Sequence, residues 1–562
     1  MKLYQRKKIE SEETVKNSCV TAINRREFHL LGVKALLGTT LFVMKNKAQQ
    51  VFAKTQKLKT WLLRDPISKL NPVVSTAAFT GDEPDPNHER LWNVDGYIKQ
   101  LGGVPQPTEQ QDVVVIGGGL SGLISSYYLY KKDSRVKPLI LEQSSQMGGN
   151  SKGEVFGNNL YSMGPAYISI PAIGSQAYRM LNEIGALRSA KIDSAEHKKV
   201  IFKGKVIANF WSGKHENPQI YQQFKNLLKA FELNLDQNIK VYNQVTMKVW
   251  LQNNFPQIQQ APLLLEYLEY YSWSSFVATL DEVAAGEFLS WQAAEQKGVL
   301  VFPGGNSFIA QALFVFLSKA LGTSQLRTKT TVLKVIPQNG YVDIVVEESL
   351  NKIKTIRAKQ VVMAVPKFVA KRIIANLPVE QLKAMDMIQY RSYIVGNVIF
   401  KRKFSSFGFD LYNLKGKIVL PSATKTMELG YTDIIFSDWA ENDANSQTTL
   451  TVYKPFPYQG ARQFLLSPFA HDKHKSFLLD ELNIFLENQQ IPSSEVHAVR
   501  MTLWGHAIPV CQAGFASSEL LKKASQPLGN IYFVNQDNQI SPSFEAVEYE
   551  AEKLVFGVRR KR

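Results

Sequence analysis

Three glycines at G-x-G-x-x-G spacing, Gly117, Gly119 and Gly122, follow directly on the apolar run QDVVVI at 111–116. That order of residues is phosphate chemistry. Gly117 permits a tight turn, Gly119 lets the backbone approach a pyrophosphate, and Gly122 lets the following helix pack close to the strand. Leu120 and Ser121 open that helix, whose unpaired amides face the phosphates. Leu123, Ile124, Tyr127, Tyr128 and Leu129 then recur at helical spacing. A second apolar run, PLIL at 138–141, ends at Glu142, twenty residues after Gly122, with Gln143 beside it. A carboxylate there accepts hydrogen bonds from a ribose diol and disfavours a 2′-phosphate. Strand, glycines, helix, strand and acid in this order predict a dinucleotide site.

Few other residues have spacings that suggest chemistry. The eight histidines form no H-E-x-x-H pattern, and His471 with His474, in HDKH, reads as a charged, loop-like pair, so no metal is expected. Cys511 and His506 lack an orienting third group and an oxyanion loop, which argues against a hydrolase. Trp504 and His506, in RMTLWGHAIP, fit equally as a pocket wall with a polar contact or base, or as a core tryptophan with a satisfied histidine.

Downstream, Gly148 and Gly149 follow Met147 and precede Asn150 and Lys152. They resemble the second glycine pair of the flavin-containing amine oxidoreductase and phytoene desaturase superfamily, where an arginine is usual at the position of Asn150; Lys152 is a candidate to replace that charge. Met163, Gly164 and Pro165, in YSMGP, resemble the loop beside the flavin ring. Residues 302–307, FPGGNS, look like the Pro-x-Gly-Gly segment, and Val332 lies on a strand that would touch adenine by its backbone. Paired strands are expected at 341–347 and 358–366. NIYFVNQD at 530–537 resembles the C-terminal motif, with Asp537 as the acid near the sugar-phosphate, Asn535 in place of glycine, and Phe544 opening a helix aimed at the cofactor.

The resemblance implies FAD and an α/β fold: a Rossmann-like FAD domain interleaved with an α+β substrate domain. The segments expected are 109–175, 300–372 and 499–558 for FAD, and 176–299 and 373–498 for the substrate. Helices are expected at 264–276 and 282–294. A strand within 386–400 should carry Tyr393, Val395, Asn397 and Ile399 on one face. Many amine-oxidising relatives hold a lysine near flavin N5 on that strand; here Val395 takes the place, and the nearest lysine is Lys401. That suggests slow use of oxygen or another electron acceptor. The implied reaction is oxidation of an amine or amino acid by hydride transfer to flavin N5, with O2 or another acceptor. The alternatives are desaturation or isomerisation of an apolar small molecule, and an FAD-stabilised binding protein without catalysis. Tyr161, Tyr431, Tyr453 and Trp439 are further aromatic candidates, and Arg391 and Glu428 candidate substrate anchors.

The remaining residues set the context. A chain of 562 residues, 44% hydrophobic, can bury more than one core. The net charge of +17 is scattered without an aromatic-interleaved groove, which argues against nucleic acid. Asn24-Arg25-Arg26-Glu27-Phe28 resembles a twin-arginine export signal, ahead of an apolar run at 30–44 too short for a spanning helix. Residues 1–53 read as that leader, 54–108 as an extended lead-in with a short helix near 88–101. Such a route exports folded, cofactor-loaded cargo, which implies the export machinery as partner and a periplasmic location; a membrane anchor is the alternative. Removing 1–53 takes away a net +6, and the basic remainder is compatible with loose association with an anionic membrane surface. Only Cys511 would then remain, so no internal disulfide is expected.

Overall fold

Val113 to Ile116 are all buried, so the run is apolar on both faces, as a strand inside a parallel sheet requires. The strand is longer than its apolar part, Pro107–Ile116, and lies between Leu139–Leu141 and Lys352–Met363, parallel to both. This chain was characterised from a computed structural model, which describes residues 87–156, 159–419, 430–441, 447–465 and 470–557, all within one unit. The leader 1–53, the lead-in up to 86 and Glu428 lie outside the described residues.

Leu326–Arg327 and Ile531–Phe533 add parallel strands, and Thr331–Pro337 and Val342–Ser349 an antiparallel meander, to complete a seven-stranded sheet. The helices Leu120–Lys132 and Phe544–Phe556 cover it and are tied by the Tyr128 hydroxyl, which donates to Glu548. The lead-in holds two short helices rather than one, Asn87–Trp92 and Val94–Gln100. Asn93 separates them because its side chain caps Gly96 N at 3.1 Å.

A second seven-stranded sheet runs in the order Val496–Pro509, Tyr390–Phe400, Thr449–Pro455, Asp433–Phe436, Asp410–Leu414, Lys199–Phe202 and Lys205–Ile207. Residues 499–509, expected with the FAD domain, pair along Tyr390–Phe400 and so belong to this second sheet. Alternation in Tyr390–Phe400 sorts its faces. Ile394, Val398 and Phe400 pack with Leu478, Leu482 and Phe485 of the helix Ala470–Asn488, while Tyr393 and Val395 join the core on the opposite face. HDKH is therefore helical, not loop-like: His474 is buried four residues before Leu478, on the face that meets the sheet. The helices Pro262–Phe276 and Ala285–Glu295 pack over the core-facing side. Among the described residues no helix is long and apolar enough to cross a membrane.

Candidate active site

The glycines act through what a side chain would meet. A Cβ on Gly122 would lie 2.0 Å from Gly117 O, so strand and helix touch there through backbone alone. Gly149, at φ +57°, would put a Cβ 2.9 Å from Gly119 Cα, and the Gly148 N–H donates to Gly118 O at 2.8 Å. The two glycine loops thus form one pocket wall. A Cβ on Gly119 would meet Gly149 Cα at 3.6 Å, an ordinary contact, so the two glycine loops pack against each other at this position. The helix beginning at Leu120 has no side-chain cap, which leaves its first amides for an anion. Glu142 is held in place by Gly118 N and Ser144 N, each at 2.8 Å from its carboxylate. Thr330 N and Lys329 N donate to Glu142 O and Ser144 O at 2.9 Å each, bringing Val332 beside this acid. Gln143 is exposed on the same loop.

The C-terminal motif closes the opposite side. Asn535 is extended at φ −162°, a conformation open to any residue, which explains how the usual glycine is dispensable. Its amide N–H donates to Val365 O, and its Oδ1 accepts from Lys367 Nζ at 3.1 Å. Lys367 is fully buried, also reaches Asn538 Oδ1 at 2.5 Å, and burial pushes its ammonium down to about 8. Asp537 reaches the first amide of the helix Lys367–Ile373. One carboxylate oxygen accepts from Lys367 N at 2.7 Å and from the Tyr390 hydroxyl, and the other, Oδ1, is buried without a partner. Phe544 opens the last helix as expected, but Ser543 Oγ accepts from Ala546 N at 3.0 Å, so this N-terminus is already partly capped.

Three strands of the second sheet hold the loop beside the expected flavin ring. Asn397 Nδ2 donates to Ser162 O at 3.0 Å, Trp504 Nε1 to Met163 O at 2.7 Å, and the Tyr453 hydroxyl to Gly164 O at 2.6 Å. Three consecutive carbonyls are thereby fixed by three side chains, with Pro165 exposed beyond them. Trp504 spends its only donor on this loop and is a positioning residue; Lys152 lies over its ring at 5.4 Å. Asn150 does not need a charge here, because its amide donates to Ala507 O at 2.9 Å. His506 stacks on Phe368, with ring centroids 4.2 Å apart, and its Nε2 lies 2.6 Å from Arg462 Nη1. An arginine at that distance acts as the donor, so Nε2 is an acceptor already engaged by protein. Arg391 is likewise engaged, in an ion pair with Glu282 at 2.8 Å. Val395 is buried between its neighbours Tyr453 and Thr502, with no lysine on its face of the strand.

Behind the Tyr393 and Tyr453 rings, 5.7 Å apart, the interior is acidic. Asp433 pairs with Tyr453 across the sheet, and the Ser274 hydroxyl lies 3.0 Å from that of Tyr393. Burial, then the nearby Asp410 charge, holds the Asp433 carboxyl well above its usual range. Deeper in, Lys198 Nζ donates to Asp410 Oδ2 at 2.5 Å, and Tyr167 and Tyr271 both donate to Glu295 Oε1, at 3.0 and 2.9 Å. Burial raises the Glu295 carboxyl to about 7 and that of Asp193 to about 6, against the opposing charge of Lys198.

The flavin containing amine oxidoreductase model matches residues 120–539, most of the chain, from the helix after the first glycines through Asp537. The chain belongs to that family. This amine oxidoreductase is 22% identical over 501 residues to Oxidoreductase PigB of Serratia sp. (strain ATCC 39006), covering 76% of this chain and 72% of that protein. It is 22% identical over 290 residues to a probable flavin-containing monoamine oxidase A of Dictyostelium discoideum, covering 47% and 59%. In fold it resembles putrescine oxidase solved with putrescine, with a TM-score of 0.60, 15% identity, and coverage of 80% of this chain and 99% of that one. It also resembles cyclohexylamine oxidase from Brevibacterium oxydans IH-35A, with a TM-score of 0.55 and coverage of 79% and 99%. The chain is thus an FAD-dependent oxidoreductase of the amine oxidase type, and its residues fit the cofactor. The uncapped helix start at Leu120 offers amides to a pyrophosphate, Glu142 is placed for a ribose, and the unpaired Asp537 Oδ1 calls for a donor such as a sugar hydroxyl. No member of the phytoene desaturase side of the superfamily is among these relatives.

The sequence did not reveal Lys367, Tyr390 or the carboxylates at 193, 295, 410 and 433. Lys367 left one readable sign, its place directly after AVP at the end of a strand. The acids left none, because they come from four separate segments.

Proposed function

We propose that this enzyme oxidises an amine, with Asp433 behind the Tyr393 and Tyr453 rings as the observation that carries the reading. Asp433 is bonded to the Thr432 hydroxyl and held by burial towards its neutral form, so it can donate to or accept from an amine nitrogen, a contact that an apolar alkene cannot use. FAD, when bound, would supply a two-electron acceptor able to take a hydride at N5 from the carbon that bears the neutral nitrogen. The amine becomes an imine, which water hydrolyses to a carbonyl compound and ammonia, and O2 or another acceptor then takes up the electrons. The protein's share is to orient: Asn397, Trp504 and Tyr453 fix the loop at 162–164, and the tyrosine wall shapes the space in front of it. The absence of a lysine from the Val395 face supports an acceptor other than O2.

The test is to titrate the purified, FAD-loaded full chain with amines, amino acids and apolar alkenes without oxygen, following the visible flavin band. Amines are expected to bleach it and alkenes to leave it. Bleaching by an alkene alone would move the reading to desaturation, and a band that no donor changes would move it to a binding protein.

We further propose export of the folded chain through a twin-arginine route to the periplasm, on the strength of Arg25-Arg26. Replacing both with Lys is expected to retain flavin-loaded precursor in the cytoplasm. Unchanged fractionation of the double variant would refute the route.

A further inference from the structure

The face of the second sheet that meets the helix Ala470–Asn488 holds two polar groups buried without a partner. Lys454, on the strand Thr449–Pro455, and His474, on that helix, are each 1% exposed. Neither Lys454 Nζ nor His474 Nδ1 makes a hydrogen bond. Alternation along the strand puts Lys454 on the side of Leu450 and Val452, which pack with Leu478 and Leu482 of the helix. Phe456 ties the two groups to one spot: its ring centroid lies 5.9 Å from Lys454 Nζ and 5.5 Å from that of His474. Phe477, about one helical turn after His474, has its ring 5.8 Å from the same ammonium and is 44% exposed. That ring borders both the ammonium and solvent.

A buried ammonium needs a counter-charge, and the carboxylate whose field reaches Lys454 is already engaged. Glu481 accepts from Lys415 Nζ at 2.5 Å and Asn413 Nδ2 at 3.2 Å with one oxygen, and from Tyr431 N at 2.8 Å with the other. Lys415 and Glu481 cancel, which leaves Lys454 as a net positive charge. Burial lowers the Lys454 ammonium from its ordinary 10.5 to about 8, against the pull of Glu481 and with the push of Lys415. Burial, then the Lys454 charge, lowers His474 to about 3. At neutral pH the lysine is therefore charged and the imidazole neutral, free to present an N–H at Nδ1. The imidazole feels the ammonium without bonding to it, so the two flank a third group. A water would leave the charge uncompensated, whereas a small anion accepts from both donors and cancels it.

We infer that Lys454 and His474 bind a small monovalent anion, of the size of chloride, between the second sheet and the helix Ala470–Asn488. Tyr453, the next residue on the strand, points to the opposite face, where its hydroxyl holds Gly164 O. The anion thus braces the back of a strand whose front fixes the loop at 162–164.

The experiment follows the melting temperature of the FAD-loaded full chain as sodium chloride replaces sodium gluconate at constant ionic strength. At neutral pH the melting temperature is expected to climb with chloride and saturate, since an ion that binds only the folded chain stabilises it. Lys454→Met should abolish the saturable rise, and His474→Leu, which removes one hydrogen bond to the ion, should raise the half-saturating concentration about tenfold. In gluconate the folded chain releases the Lys454 proton near pH 8 and the unfolded chain near 10.5, so this residue adds stability as pH rises between those values. The chloride effect should fade over the same window, because the ammonium it pairs with is lost, and this dependence decides the matter in the native protein without any variant. Identical melting in chloride and gluconate at neutral pH would overturn the site. So would a chloride effect that persists undiminished at pH 10.5 or in Lys454→Met.

Discussion

Gly119→Ala is expected to yield a folded protein that no longer retains FAD. The added Cβ meets nothing closer than 3.6 Å, and φ there is −71°, so the protein itself accommodates it. Its cost to the chain is that of a poorer helix N-cap, about 1 kcal/mol. The methyl group instead sits against Gly149 Cα where the two glycine loops meet, and so props apart the backbone that must approach a pyrophosphate closely. FAD affinity should fall at least hundredfold, about 2.8 kcal/mol, measured by flavin absorbance after gel filtration, with circular dichroism unchanged. Gly122→Ala is the contrasting case. Its Cβ would lie 2.0 Å from Gly117 O, so strand and helix must separate and the fold itself should suffer. Full flavin content in Gly119→Ala would place the phosphates elsewhere.

Lys198→Met should be the most destabilising single change in the substrate sheet. Lys198 and Asp410 are 12% and 5% exposed and bonded at 2.5 Å, and Asp410 Oδ1 has no other partner to fall back on. Removing one member of such a pair leaves an uncompensated buried charge, a cost of about 3–5 kcal/mol. The lysine ring contact, 5.1 Å above Tyr412, is lost as well. Denaturant unfolding of the apo and FAD-loaded forms measures the loss. Adding Asp410→Asn should recover part of it, since the charge left behind is then gone. A loss under about 1 kcal/mol would mean that solvent, rather than Lys198, balances Asp410.

How far the sequence was readable depends on whether a feature is local. The strand before Gly117 and the helices expected at 264–276 and 282–294 are read from apolar and aromatic runs within one segment, and the structure has them at Pro107–Ile116, Pro262–Phe276 and Ala285–Glu295. HDKH was misread as a loop because its charges face outward. What makes it helical is His474 turned inward beneath the sheet, a tertiary contact. Trp504 and His506 stand out in the sequence as candidate polar groups, but their partners, Met163 O and Arg462, lie hundreds and tens of residues away. Only those partners show that both polar groups are engaged by protein.

By itself the sequence determined the dinucleotide cradle, because a phosphate-binding turn, its helix and its ribose acid are built from some thirty contiguous residues whose spacing is their geometry. It also determined, through Asn150 and Asn535, where the chain departs from its relatives. Tertiary structure alone decided what those departures mean. Asn535 works because Lys367, distant in sequence, meets its side chain, and Asn150 because Ala507 offers a carbonyl. The acidic interior belongs entirely to that level: carboxylates from four segments come to share one desolvated surrounding only when folding removes water from around them, and desolvation is not written in any local pattern.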